Sequence, residues 1–162
     1  MGNKMSRMTY NTTRLKSKNK YKLNPVELKK VKAFVPPVKE GKVIKCYDGD
    51  TITIISDLYG TIYKFSVRIN RIDCPEMKSN NANEKFVANL AKTRLANLVL
   101  DKNVCLQNVS TDKYGRLLAD VYIGKISCAE LLLKERLAVS YDGGTKIRPK
   151  NWKTYYENGF TD

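Results

Sequence analysis

Five side chains carry the chemistry open to this sequence: Asp50, Arg68, Asp73, Glu76 and Arg116. They stand in three short runs: Asp48-Gly49-Asp50-Thr51, then Arg68-Ile69-Asn70-Arg71-Ile72-Asp73-Cys74-Pro75-Glu76, then Asp112-Lys113-Tyr114-Gly115-Arg116. Separated carboxylates without histidine suit a hard, oxygen-preferring cation, Ca²⁺ or Mg²⁺. Two guanidiniums on strand-like segments can hold a phosphate bidentately and take up charge developing on its oxygens. Glu76, three residues past Asp73 in a segment bent by Pro75, is free to point at a water beside that cation. Gathered in one place, the set suits metal-assisted attack on a phosphodiester.

Composition narrows the alternatives. The 162 residues contain no histidine, which removes imidazole bases, His–metal sites and the Ser-His-Asp and Cys-His machineries. Cys46, Cys74, Cys105 and Cys128 are widely spread and form no C-x-x-C pair, so neither a zinc site nor a disulfide framework is indicated. No apolar run is long enough for a membrane-spanning helix or a standard signal peptide, and an intracellular protein is expected. The net charge is +14, and residues 1–42 hold twelve of the thirty Lys and Arg residues but two of the sixteen Asp and Glu. Ten of the surplus charges therefore lie at the front, where they favour polyanions: nucleic acid or an anionic membrane surface.

The elements that must position the five residues follow from periodicity. Lys42–Tyr47 and Thr51–Ser56 read as strands around the tight Asp48-Gly49-Asp50 turn, with a hairpin turn over 57–61. A third strand, Ile62–Asn70, puts Tyr63, Phe65, Val67 and Ile69 on one face and Arg68 on the other. Residues 77–83 read as a mobile loop, and 84–100 show helical spacing through Val87, Leu90, Ala91, Leu95, Leu98 and Val99. Strands over 103–109 and 116–123 follow, and Ser127 opens a helix that runs to Arg136. Pro25 permits a short helix over 26–34. Five strands with one helix between the third and fourth fit an α+β, mainly β fold, a five-stranded OB-type Greek-key barrel with two or three helices. The expected layout is a basic extension over 1–41, a barrel over 42–142 and a short basic segment over 143–162.

At these runs the sequence resembles the staphylococcal nuclease (thermonuclease) family, over roughly residues 42–141. Asp48-Gly49-Asp50-Thr51, Arg68 five residues before Asp73, Asp73-x-Pro75-Glu76 and the Asp112–Arg116 run occur in the family's order and close to its spacing. The resemblance implies a Ca²⁺-dependent endonuclease that cleaves DNA and RNA, single-stranded or frayed, to 3′-phosphate ends. It implies Ca²⁺ held by Asp50, Asp73 and the main-chain carbonyl of Cys74, a water activated by Glu76, and a transition state stabilised by Arg68 and Arg116. Lys113 and Tyr114 match nucleotide-contacting positions, and Tyr141 is a candidate for stacking. Cys74 stands where the family has a Thr, and the chain beyond Tyr141 is shorter than the family's, which puts its final helix in doubt. A monomer is expected.

Two other functions compete. One is a non-catalytic nucleic-acid-binding barrel, which predicts missing catalytic residues. The other uses Glu76-Met77-Lys78 as an E-x-K element with Mg²⁺ and needs a strand there, which Pro75 opposes. At the front, Met1-Gly2-Asn3-Lys4-Met5-Ser6 matches an N-myristoylation signal at Gly2, and the Lys and Arg residues behind it supply the second, electrostatic half of a membrane anchor. That pairing points to the cytoplasmic face of a membrane. The remaining features have plain readings: Asp48, Asp57 and Asp120 as turn acceptors, Lys64 and Arg71 as solvated cations, and Tyr63, Phe65 and Phe86 as core.

Overall fold

The structure is a computed structural model that describes residues 24–159. The Gly2 signal and the basic run up to Lys22 lie outside the described residues. The chain divides into two compact units, 1–34 and 35–162. In the first, the helix expected over 26–34 is one turn, α1 (Pro25–Leu28). Its cap is complete, since the Asn24 side chain accepts from the Val26 and Glu27 N–H groups while Glu27 accepts from the Asn24 N–H. None of its side chains is buried, and a turn without a packed face does not propagate.

The second unit is a barrel. Its strands are β1 (Glu40–Cys46), β2 (Thr51–Leu58), β3 (Thr61–Ile69), β5 (Asn103–Thr111) and β6 (Leu117–Ile123), in the spatial order β3-β2-β1-β5-β6. Parallel pairing of β3 with β6 closes the ring, and the other pairs are antiparallel. A short strand β7 (Ile126–Ser127) extends β6, and β4 (Ile72–Asp73) pairs with β8 (Val139–Ser140) in a separate two-strand patch. The strands' alternation is set by their sequence: Ile52 and Ile54, Val67 and Ile69, and Leu117, Ala119 and Val121 fill the interior. Bulges in β1 after Val43 and in β5 around Asn108 give the sheet the bend that closure needs.

The helices number four among the described residues rather than two or three. Helix α2 (Ala82–Val99) begins inside the stretch expected to be loop, because the Asn81 side chain caps it by accepting from the Asn83 and Glu84 N–H groups. Its buried face is Val87, Ala88, Ala91, Leu95 and Val99. Helix α3 (Cys128–Lys134) starts at the Ser127 cap as expected, and α4 (Trp152–Asn158) closes the chain. Trp152 and Tyr155 of α4 join the barrel's own core, and the Tyr155 hydroxyl donates to the Ala138 carbonyl at 3.1 Å. The segment over 143–162 thus contributes to the same hydrophobic interior, and the doubtful final helix is present.

Two aromatic expectations fail. Tyr63 is half exposed because the first four residues of β3 are all exposed, so that end of the β2–β3 hairpin projects past the core. Phe86 is half exposed on the outer side of α2, with the Lys153 ammonium 5.9 Å from its ring centroid. Asp120 and Arg71 also differ from their plain readings. Asp120 is a buried strand residue that accepts from Asn108 at 2.7 Å and pairs with Arg71 at 3.2 Å. Asp57 does serve its turn, accepting the Gly60 N–H at 2.8 Å.

Candidate active site

All eight residues singled out for catalysis, cation binding and substrate contact line one cleft of roughly 820 Å³. Non-local pairing brings them there. The β2–β3 register sets Thr51 opposite Arg68, and the Ile69 N–H donates to the Asp50 carbonyl at 2.8 Å, which ties the Asp48–Asp50 turn to β3. The parallel β3–β6 register sets Arg68 opposite Leu118, so Arg116 arrives on the same side. Pairing of β4 with β8 fixes Asp73 opposite Val139. The turn itself rests on α2. A Cβ on Gly49 would lie 2.7 Å from the Ala91 Cβ and 2.9 Å from the Cys74 Sγ, so only glycine lets helix and turn approach this closely.

At the floor of the cleft Arg68 bridges the two aspartates: Nη1 donates to Asp50 Oδ1 at 2.5 Å and Nη2 to Asp73 Oδ1 at 3.1 Å. Both carboxylates are almost fully buried. Asp50 further accepts from the Thr51 hydroxyl at 3.0 Å and from the Cys74 N–H at 3.1 Å. The Cys74 side chain packs inward against Gly49 and is buried, with its thiol pushed well up by burial, so it offers no sulfur ligand. Asp48 accepts the Asp50 N–H at 3.1 Å, which is the turn role expected of it, and its charge also bears on Asp50.

Electrostatics separate the two aspartates. Burial pushes the Asp50 carboxyl up to about 6, against the pull of Arg68 and with a further push from Asp48. Burial acts the same way on Asp73, but hydrogen bonds from Lys146 and Arg148 outweigh it and hold that carboxyl below its usual range. Lys146 Nζ lies 2.7 Å from Asp73 Oδ1, and Arg148 Nε lies 2.8 Å from Oδ2. Arg148 also reaches Glu76 Oε1 at 3.2 Å through Nη2. Neither Lys146 nor Arg148 was singled out from the sequence, where both sit unremarked in a basic terminal stretch. Tyr47, on the cleft wall, was missed as well.

The rim carries the remaining residues. Glu76 is exposed, and its backbone is held by α2: the Glu84 carboxylate accepts the Glu76 N–H at 3.0 Å and the Ser79 hydroxyl at 2.6 Å. Met77 and Lys78 form a turn directly after it, so the strand that an E-x-K element needs is absent. Asp112 organises the other rim by accepting the Tyr114 and Arg116 N–H groups and the Arg116 Nε at 2.7 Å. Tyr114 stands 73% exposed, with Lys113 Nζ 5.1 Å and Arg116 Cζ 5.8 Å from its ring centroid. An exposed ring flanked by cations is a surface on which a nucleobase can stack beside its phosphate. Tyr141 lines the same cleft.

The family model for staphylococcal nuclease homologues matches residues 66–158. This chain belongs to that family. The matched span opens inside β3 and takes in every cleft residue from Arg68 onward, while Asp50 joins them through the β2–β3 register. Among its relatives, the chain is 36% identical over 100 residues to a protein named uncharacterized endonuclease from Haemophilus influenzae, a match that covers 62% of this chain and 51% of that one. It is 38% identical over 108 residues to endonuclease YncB of Bacillus subtilis, covering 63% and 49% respectively. It is 37% identical over 108 residues to the SPbeta prophage-derived endonuclease YokF of the same organism, covering 63% and 35%. The staphylococcal nuclease homologue described here thus spans about half the length of the first two relatives.

The donor set suits a hard cation. The acidic side chains at the floor, Asp50 and Asp73, offer carboxylate oxygens, the ligand type a hard cation prefers. Among the described residues no three His, Cys, Asp or Glu side chains gather around one point, so a cation here would rest on two carboxylates and complete its shell from elsewhere.

Proposed function

We propose that this protein is a Ca²⁺-dependent endonuclease that hydrolyses phosphodiester bonds of DNA and RNA and leaves 3′-phosphate ends. The observation that carries the reading is the convergence of eight residues from separate stretches of chain on one cleft. Asp50 and Asp73 would hold the cation, with the main-chain carbonyl of Cys74 as a third oxygen. Bound there, Ca²⁺ would polarise the scissile phosphate and neutralise its charge. Glu76, exposed at the rim, takes the proton of the attacking water. Arg68 and Arg116 donate to the non-bridging oxygens as their charge grows. Lys113 and Tyr114 hold the neighbouring nucleotide by charge and stacking, which favours single-stranded or frayed substrate because stacking needs an unpaired base.

The test is cleavage of single-stranded DNA by the purified protein with Ca²⁺, with Mg²⁺ and with chelator, beside Glu76→Gln. Cleavage should require Ca²⁺ and fall by about 10²–10⁴-fold in the variant, the usual worth of a general base. Binding without cleavage in all three conditions would instead leave a nucleic-acid-binding barrel.

The front of the chain adds a location to this reading. Gly2 in its M-G-x-x-x-S setting, followed by a run of Lys and Arg, supplies the two signals a stable lipid anchor needs. The lipidated protein, a monomer, would work at the cytoplasmic face of an anionic membrane. Deleting residues 1–34, which stops short of the buried Val38 and of β1, should release protein made in myristoylating cells from phosphatidylserine vesicles and leave cleavage largely intact. Equal vesicle binding by the deleted form would remove the tether from the account.

A further inference from the structure

Asp73 is 2% exposed, and its two oxygens accept from three different cations: Arg68 from β3, and Lys146 and Arg148 from the stretch joining β8 to α4. A carboxylate has about four lone-pair directions, so little acceptor capacity is left for anything else. Arg148 also spans from Asp73 to Glu76 and so holds together a cation ligand and the proposed base. The fold does not depend on either side chain for its core. Both are about one-third exposed, and the stretch that carries them is pinned by other groups. At one end the Tyr141 N–H donates to the Arg71 carbonyl, and at the other Asn151 caps α4. Lys146 also faces the cleft, with Nζ 5.6 Å from the Tyr141 ring centroid.

A divalent cation at Asp73 would compete with the ammonium 2.7 Å away and the guanidinium 2.8 Å away, because like charges crowded into a buried corner repel. Binding there would release from Asp73 both Lys146, which lines the cleft, and Arg148, which reaches Glu76 at its rim. A polynucleotide backbone presents phosphates to that position. Resting on the nuclease reading above, we propose that Lys146 and Arg148 are substrate-binding residues that occupy the cation's place at Asp73 in the free protein and transfer to the phosphates of the nucleic acid when Ca²⁺ takes the carboxylate. Cation and nucleic acid then favour one another's binding through this pair, since each provides what the other releases.

The test is calorimetric titration of Ca²⁺ into the full-length chain without nucleic acid, for wild type, Lys146→Gln, Arg148→Gln and the double variant. Lys153→Gln serves as the control for losing a positive charge elsewhere on the surface. The double variant should bind Ca²⁺ at least about tenfold more tightly than the control, because the competing cations are gone. Its KM for single-stranded DNA should rise at saturating Ca²⁺ as the phosphate contacts are lost. Ca²⁺ affinity that is unchanged or weaker relative to the control, or no binding in any form, would overturn the proposal. If the double variant loses its cooperative melt, Lys146→Met, of similar length without the charge, carries the same expectation in the same direction. Tightened Ca²⁺ binding in a protein whose wild type cleaves nothing would uphold the displacement at Asp73 and remove the nuclease reading instead.

Discussion

Two arginine–carboxylate arrangements on this barrel distribute their charges differently. On one side, Arg94 of α2 meets Glu135, the residue that caps α3, in a one-to-one bidentate pair: Nε reaches both carboxylate oxygens at 3.0 and 2.8 Å, and Nη2 reaches Oε1 at 2.8 Å. Each group satisfies the other, and each side chain stays about one-third exposed. In the cleft, Arg68 is divided between two buried carboxylates: Asp73, which it shares with Lys146 and Arg148, and Asp50, whose other donors are the neutral Thr51 hydroxyl and Cys74 N–H. The first arrangement is complete in itself. The second is unevenly distributed, with three cations on Asp73 and one on Asp50, and such an arrangement in a buried site is what an added ion and an added phosphate can rearrange. An ion pair's place in function is therefore read from how its charges are distributed, more than from how short its contacts are.

Substitutions can test that contrast, and the largest effect belongs to the cleft. Arg68→Ala leaves two buried carboxylates facing each other without their common cation, and should cost about 3 kcal/mol of stability in a urea titration. Cleavage should fall by about 10³-fold or more, the worth of a preorganised donor to the transition state. A variant as stable as wild type would mean that the buried cluster is no more demanding than the surface pair.

Asp112→Asn should have an intermediate effect that depends on pH. Burial would raise the Asp112 carboxyl, but hydrogen bonds from Arg116 and from the Arg116 and Tyr114 amides outweigh it and lower it below the ordinary 3.8. A carboxylate lowered in the folded state adds stability that is fully present above 3.8 and is lost as pH falls through the folded value. Asn keeps the oxygen that accepts the two turn amides but loses the charge and puts an NH2 group where Oδ2 accepts Arg116 Nε, so the loss should be about 0.5–1 kcal/mol at pH 7 after screening, and should shrink near pH 2. Equal losses at both pH values in thermal melts would assign the effect to the turn rather than to charge. Arg94→Ala should be the mildest, within about 1 kcal/mol and smaller still in high salt, with cleavage unchanged. A loss of cleavage there would erase the distinction between the two arrangements.

Much of the site was legible in the chain. Asp50, Arg68, Asp73, Glu76 and Arg116 each sit at the end of a strand or in the turn beside it, and strand ends are marked locally by Gly, Pro and the alternation that precedes them. Asp120 and Arg71 misled because their partner lies across the sheet, where no spacing reveals it. Tyr63 and Phe86 misled because alternation reports which face a residue is on, and does not report whether that face is covered. The role of Glu84 in holding Glu76 was hidden for the same reason, since a helix-start glutamate has an ordinary use at its own terminus.

The sequence by itself determined which groups are present, the order in which they occur, and the strand and helix periods that carry them. It determined the missing imidazole as well, which leaves carboxylates and guanidiniums as the charged groups that gather in the cleft. Only the tertiary structure decided that β3 pairs with β6 to close the ring, that α4 enters the core, and that Lys146 and Arg148 settle on a carboxylate 73 and 75 residues earlier in the chain. Local propensities act over a few residues, whereas these contacts are selected by burial and charge across loops whose closure leaves no periodic mark on the sequence.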